Sequence, residues 1–165
     1  MLVYYKGLRI VDAIDHALIG CCGAKLYSDP SRAVLPADFY ASDLFRKRVR
    51  YVESRGIPWS VLSSRMHLWG ASEKCYPWVD GKPYDTSLSE LTSEGRRFWS
   101  LIVTQQIYVT IPPGSAIEIH AGEMYRQHLI PLLERLEYRV VVPTKGLGIG
   151  KQLQWYTQNT KTVVA

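Results

Sequence analysis

Asp85 ends the run Pro83-Tyr84-Asp85, downstream of a stretch that carries Trp69, Tyr76 and Trp78. A carboxylate beside aromatic rings can activate water or offset the charge of an oxocarbenium-like sugar while the rings stack a base. The plainer alternative is an Asp that caps a helix beginning near Ser89. His67 closes the turn Ser63-Ser64-Arg65-Met66-His67, where an imidazole can orient or protonate a leaving group near neutral pH; a satisfied structural histidine is the alternative. Lys25, in Gly20-Cys21-Cys22-Gly23-Ala24-Lys25, suits a phosphate or a carboxylate. In Ala121-Gly122-Glu123-Met124-Tyr125-Arg126, the glutamate fits the first turn of a helix and the arginine fits phosphate. Gly146–Gly150 is a glycine-rich turn flanked by Lys145 and Lys151, and it can turn backbone N–H groups toward an anion. It lacks the P-loop spacing and does not follow the first strand, which excludes both common nucleotide fingerprints.

The thiols argue for less. Three cysteines, Cys21, Cys22 and Cys75, make no disulfide framework and have no zinc-ligand spacing. Cys21 and Cys22 alternate faces, so at most one enters a site, and packing is favoured over nucleophilic work. Neither a metal nor a cofactor is expected.

These residues need elements that deliver them to one place. Ala17–Cys22, Trp59–Ser63, Ala116–His120 and Tyr138–Val142 read as short buried strands. Ser42–Arg55, Thr92–Thr110, Gly122–Leu136 and Gly150–Gln158 read as the helices between and after them, stopped by Gly and Pro. Leu8–Val11 reads as a possible edge strand. Strands joined by such helices must run parallel, and apolar runs fit a sheet covered on both faces. The expectation is therefore α/β: a three-layer α/β/α sandwich around a four-stranded, mainly parallel sheet. The clusters at 20–25, 63–67, 121–126 and 145–152 each follow one of the four strands, and open parallel sheets bind ligands beyond their strand carboxyl ends.

The length of 165 residues fits a single domain spanning 1–165. A net charge of +5 suits a polyanionic partner without naming one. Arg46, Lys47, Arg48, Arg50 and Arg55 crowd one helix, either as a solvated face or as a track for phosphates. No apolar run is long enough for a membrane span or a signal peptide, and reduced thiols suit the cytosol, so a cytoplasmic protein is expected.

Six motifs in order carry a resemblance that runs from about Ile19 to Trp155. They are Gly20-Cys21-x-x-x-Lys25-Leu26; Pro36-Ala37-x-x-Tyr40-x-Ser42-x-Leu44-Phe45-Arg46-Lys47-Arg48; Leu62-Ser63-x-x-x-His67; Pro83-Tyr84-Asp85; Ala121-Gly122-x-x-Tyr125; and Gly146-Leu147-Gly148-Ile149-Gly150-x-Gln152-Leu153. Together they resemble a family of small bacterial and phage domains of unassigned function, in which a Gly usually follows the His that is here His67-Leu68. The Cys-x-x-x-Lys turn is more distantly similar to one in the domain attached to archaeosine-type tRNA-guanine transglycosylases. That likeness implies a uracil-DNA-glycosylase-like fold and the hydrolysis of an N-glycosidic bond to a modified base, in some members as defence against phage with hypermodified DNA.

Carried onto this chain, the resemblance makes Asp85 and His67 the catalytic pair, with acid and base unassigned between them. Substrate would be held by Cys21, Gly23, Lys25, Ser63, Arg65, Tyr84, Glu123 and Tyr125, and phosphates by Arg46, Arg126, Gly148 and Lys151. The expected partner is nucleic acid, DNA favoured over RNA, with no membrane and a monomer favoured. Two alternatives stand beside it: a non-catalytic nucleic-acid-binding module, and an N-glycosidase for free nucleosides or nucleotides.

Overall fold

The computed structural model describes residues 4–5, 8–9, 13–26 and 29–161. Strands β1 (Tyr4–Tyr5) and β2 (Leu8–Arg9) pair antiparallel with each other. The edge strand expected at Leu8–Val11 is thus not part of the central sheet where it is described, and its last two residues lie outside the described residues.

The central sheet takes β3 (His16–Gly20), β4 (Trp59–Ser63), β5 (His67–Gly70), β8 (Ala116–His120) and β9 (Arg139–Val141). Its order is β5-β4-β3-β8-β9. β3 pairs parallel with β4 on one side and β8 on the other, and β8 pairs parallel with β9. The four parallel strands are those expected, but the sheet has five. β5 runs antiparallel on the edge, returning from β4 so that Ser63 faces His67. It is only four residues long and follows a three-residue turn, so no sequence periodicity marks it.

α1 (Pro36–Phe39) and α2 (Asp43–Ser54) cross from β3 to β4. After β5 comes a small hairpin, β6 (Trp78–Val79) with β7 (Lys82–Pro83). α3 (Ser93–Thr110) leads into β8, α4 (Glu123–Arg135) joins β8 to β9, and α5 (Ile149–Asn159) follows β9. One apolar cluster joins Ala17, Ile19 and Val61 to Phe45, Val52 and Tyr156, from α2 and α5. A second joins Leu18, Leu62, Ile117 and Ile119 to Trp99, Val103, Leu129 and Leu133, from α3 and α4. Alternate residues of each strand therefore feed opposite cores, and helices cover both faces.

Because the strands run parallel, the four longer helices all begin at the strand carboxyl ends. That rim gathers the loops after β3, β4, β8 and β9. Strand order reverses between β3 and β8, and there Gly20 lets the loops touch. A Cβ on Gly20 would stand 3.0 Å from that of Ala121.

Candidate functional site at the strand carboxyl ends

Asp85 lies beneath the rim with 3% of its surface exposed. The β6–β7 hairpin carries it there, fixed by Tyr84 N–H donating to Pro77 O at 2.7 Å. Its carboxylate accepts from two separate segments, Tyr40 and the turn at residues 63–65. Tyr40 Oη donates to Oδ2 at 2.7 Å, and Ser63 Oγ donates to Oδ1 at 2.8 Å. The Arg65 amide donates to Oδ1 at 3.1 Å. The Ser64 hydroxyl stands 3.0 Å from Oδ1 and 2.7 Å from Thr86 O, so its one proton is divided between them. Asp85 caps no helix; the short 3-10 turn of Leu88–Glu90 is capped by Ser87.

The donors are themselves held. Ser63 Oγ accepts from Met66 N–H at 2.8 Å, and Ser63 O accepts from Trp99 Nε1–H at 2.8 Å. Tyr40 is tied to the loop after β3 through a backbone bridge to Lys25, with Leu26 N–H donating to Phe39 O and Ala41 N–H to Ala24 O. The Lys25 ammonium stands 6.0 Å from the Tyr40 ring centre, and the Arg65 guanidinium 5.7 Å from that of Tyr84. Both cations reach the same neighbourhood as the carboxylate.

Cys21 Sγ and Tyr125 Oη are 3.0 Å apart, which joins the loop after β3 to α4. Burial, with the Asp85 charge second, pushes the Cys21 thiol up to about 12, so it stays protonated and is no nucleophile near neutral pH. Burial raises the phenols of Tyr40 and Tyr125 as well. Both remain hydroxyl groups able to donate.

His67 sits across the hairpin from Ser63 with φ 61°, the left-handed region that side chains other than glycine seldom occupy. Partial burial holds its proton affinity below the ordinary value, which leaves a neutral imidazole at pH 7. Glu123 is exposed on the first turn of α4 and forms an ion pair with Arg126 at 2.8 Å. Arg46 is exposed on the first turn of α2, Gly148 is the N-cap of α5, Lys151 is exposed one turn in, and Gly23 lies open after β3.

Lys25, Ser63, Arg65, Tyr84 and Asp85 are therefore one group, with Cys21 and Tyr125 against it and His67 one strand away. Arg46, Glu123, Arg126, Gly148 and Lys151 border it on the neighbouring helix starts. Sequence reasoning missed Tyr40 and Ser64 as partners of Asp85. It also set Arg48 in a solvated run, whereas Arg48 is buried at 7% exposure.

A groove of about 970 Å³ lies at the opposite end, lined by His16, Glu53, Trp59, Ser60 and Glu73 among others. Its titratable side chains bond within its own walls: His16 with Ser60 Oγ at 2.9 Å, and Glu53 with Trp59 Nε1–H at 3.3 Å. Among the described residues, no group of three or more His, Cys, Asp or Glu could hold a metal ion. Nor is any helix there long and apolar enough to cross a membrane.

Residues 17–158 match the model of a family described as a family of unknown function, DUF6884. The chain belongs to that family. No curated protein and no solved structure matches this DUF6884 chain.

Proposed function

We propose that this DUF6884 domain is a nucleic-acid N-glycosylase with a uracil-DNA-glycosylase-like arrangement, working at the strand carboxyl ends on a base turned out of its strand. One observation carries the reading: the buried Asp85 carboxylate, fixed by donors from Tyr40 before α2 and from Ser63 and Arg65 in the turn after β4, beside the switch point of a parallel sheet. A buried carboxylate is expensive unless it is bonded, and this one is bonded in place while two cations flank the approach to it.

With its oxygens already accepting, Asp85 is better placed to hold negative charge under the sugar than to take a proton from water. In the reaction, the bond from C1′ to the base nitrogen breaks and its electrons leave with the base. Positive charge builds on the sugar and is offset by Asp85. Water adds its hydroxyl to C1′, and its proton reaches the departing base, the step assigned to the rim imidazole of His67. Lys25 and Arg65 hold phosphates, and Tyr84 offers a ring to stack on.

The test is mass spectrometry of bases released from a panel of modified DNAs, with Asp85→Asn beside the parent. The amide should fold, because its oxygen can take the Ser63 and Arg65 donors while its NH2 donates to Tyr40 Oη, which can turn to accept. The expected result is a released base and an abasic site with the parent, and at least a hundredfold slower release by the variant with binding retained. Release at equal rates by both would refute the role of Asp85.

The same saturation of Asp85 favours a second reading, a binding module in which the carboxylate only braces the rim. Tight binding by parent and variant, with no base released from any DNA in the panel, would establish it.

A further inference from the structure

The run Arg46–Arg50 on α2 holds one residue unlike its neighbours. Arg46 and Arg50 are exposed, but Arg48 is buried at 7%. Its Nη2–H donates to Gln152 Oε1 at 3.0 Å, in the opening turn of α5, while its buried Nε–H has no hydrogen-bond partner. Tyr156, Cys22, Tyr125 and His120 lie close enough to interact with its charge. They place the guanidinium among the loops after β3, β8 and β9, and none of them is a carboxylate. Among the described residues, the ion pairs join Asp29 to Arg32, Glu118 to Arg55 and His120, and Glu123 to Arg126; none includes Arg48. An arginine stays charged wherever it is, and a buried charge with no counter-charge is heavily penalised.

The helix beside it is also incomplete. α2 and α3 are capped by the side chains of Ser42 and Thr92, whereas α4 and α5 begin at Gly122 and Gly148 with no side-chain cap; only α5 has Arg48 bonded to its opening turn. The first amides of a helix have no partner within it. Gly148 has φ −67° and ψ 164°, which any residue adopts, and a Cβ there or on Gly150 would meet nothing within 4 Å. Neither conformation nor packing calls for glycine at these positions. What a glycine leaves open there is close approach to the backbone.

We infer that Arg48 and the uncapped opening turn of α5 form a site for one phosphate group, set beside the Asp85 cluster at the rim. The open helix amides, the Arg48 guanidinium and the nearby Lys151 give more donors than the two oxygens of a carboxylate accept, and they suit the several oxygens of a phosphate. Gln152 holds one side of the guanidinium at the opening turn of α5. The group bound is either the terminal phosphate of a nucleotide or an internal diester of a strand. The inference rests on the rim being the ligand edge, as in the reading above.

Thermal unfolding is followed against inorganic phosphate, and separately against a short single-stranded DNA lacking terminal phosphates, at constant ionic strength. Parent, Arg48→Met and Gly148→Asp are compared. The aspartate caps the helix and sets a negative charge where the anion would sit. Gly148→Asp should therefore unfold at or above the parent's temperature while losing the response, so a misfolded Arg48→Met cannot hide the answer. The parent should be stabilised by one of the two probes, and the variants should bind it about 10- to 100-fold more weakly. Response to inorganic phosphate assigns a terminal phosphate; response to the oligonucleotide assigns a diester. A parent that answers neither probe, or a Gly148→Asp protein that answers like the parent, overturns the site. Base release without a phosphate response would sink this inference alone, and a phosphate response without base release would sink only the glycosylase reading.

Discussion

Tyr156, His120, Glu118 and Arg55 are linked through the core. The Tyr156 hydroxyl, close enough to feel the Arg48 charge, meets His120 Nδ1 at 2.7 Å. His120 Nε2 meets Glu118 Oε1 at 2.7 Å, and Arg55 reaches both Glu118 oxygens at 3.0 Å. The Glu118 carboxylate can only accept, so Nε2 carries the proton given to it, and Nδ1 takes the Tyr156 hydroxyl proton. That is a neutral imidazole, in keeping with burial driving His120 below its ordinary 6.5 even beside Glu118. The folded state therefore binds this proton less readily than the unfolded chain. The stabilisation is complete above about 6.5 and is lost as pH falls from there toward the folded value. Burial lowers His16 in the same sense. The unfolding temperature should accordingly drop between about pH 7 and pH 5.5, and a flat profile would contradict the neutral assignment. Tyr156→Phe, which orphans the buried Nδ1 of His120, should lose about 1–3 kcal/mol in urea unfolding. His67→Asn keeps a residue tolerant of positive φ. It should leave the unfolding temperature nearly unchanged yet slow base release about a hundredfold, the usual scale of a lost proton-transfer group.

Among the elements, the closest fit is between the ends of β3 and β8. Gly20→Val would drive a branched side chain into Ala121 and should lower stability by about 1–3 kcal/mol in denaturant unfolding. It should also weaken ligand binding, because the displaced loops carry Cys21 and Tyr125. The parallel strands were legible in the sequence because Ala17–Gly20 and Trp59–Leu62 are apolar runs closed by turn residues, and the helices because Ser42, Thr92 and the Gly-Ile-Pro and Pro-Pro-Gly breaks mark their ends. Lys25 and Ser63 were legible as neighbours because they lie at or after the ends of strands that a parallel sheet delivers to one edge. Asp85 stood out only as a carboxylate among aromatic residues, and its hairpin was not foreseen. β5 was not legible, since His67–Gly70 is too short to show a period. Arg48 was hidden by its company: a local basic run does not say which member faces α5. Glu118 and His120, on a strand that looks apolar by its isoleucines, gave no sign of the buried chain they form with Arg55 and Tyr156.

At the scale of the molecule, a charge of +5 with cations gathered at the rim makes binding to a strand electrostatic. If Lys25, Arg65, Arg46 and the Arg48 site each neutralise a phosphate, affinity for single-stranded DNA should fall with salt at a log–log slope of about −2 to −3. A slope near zero would point instead to a small uncharged ligand. The account as a whole depends on ligands meeting the carboxyl ends of the strands. Hydrogen–deuterium exchange with and without a bound oligonucleotide tests that most directly. Protection should concentrate in residues 20–26, 63–67, 121–126 and 145–152, leaving the His16–Glu53–Glu73 groove unchanged. Protection at that groove, with the four rim loops exchanging as before, would contradict it.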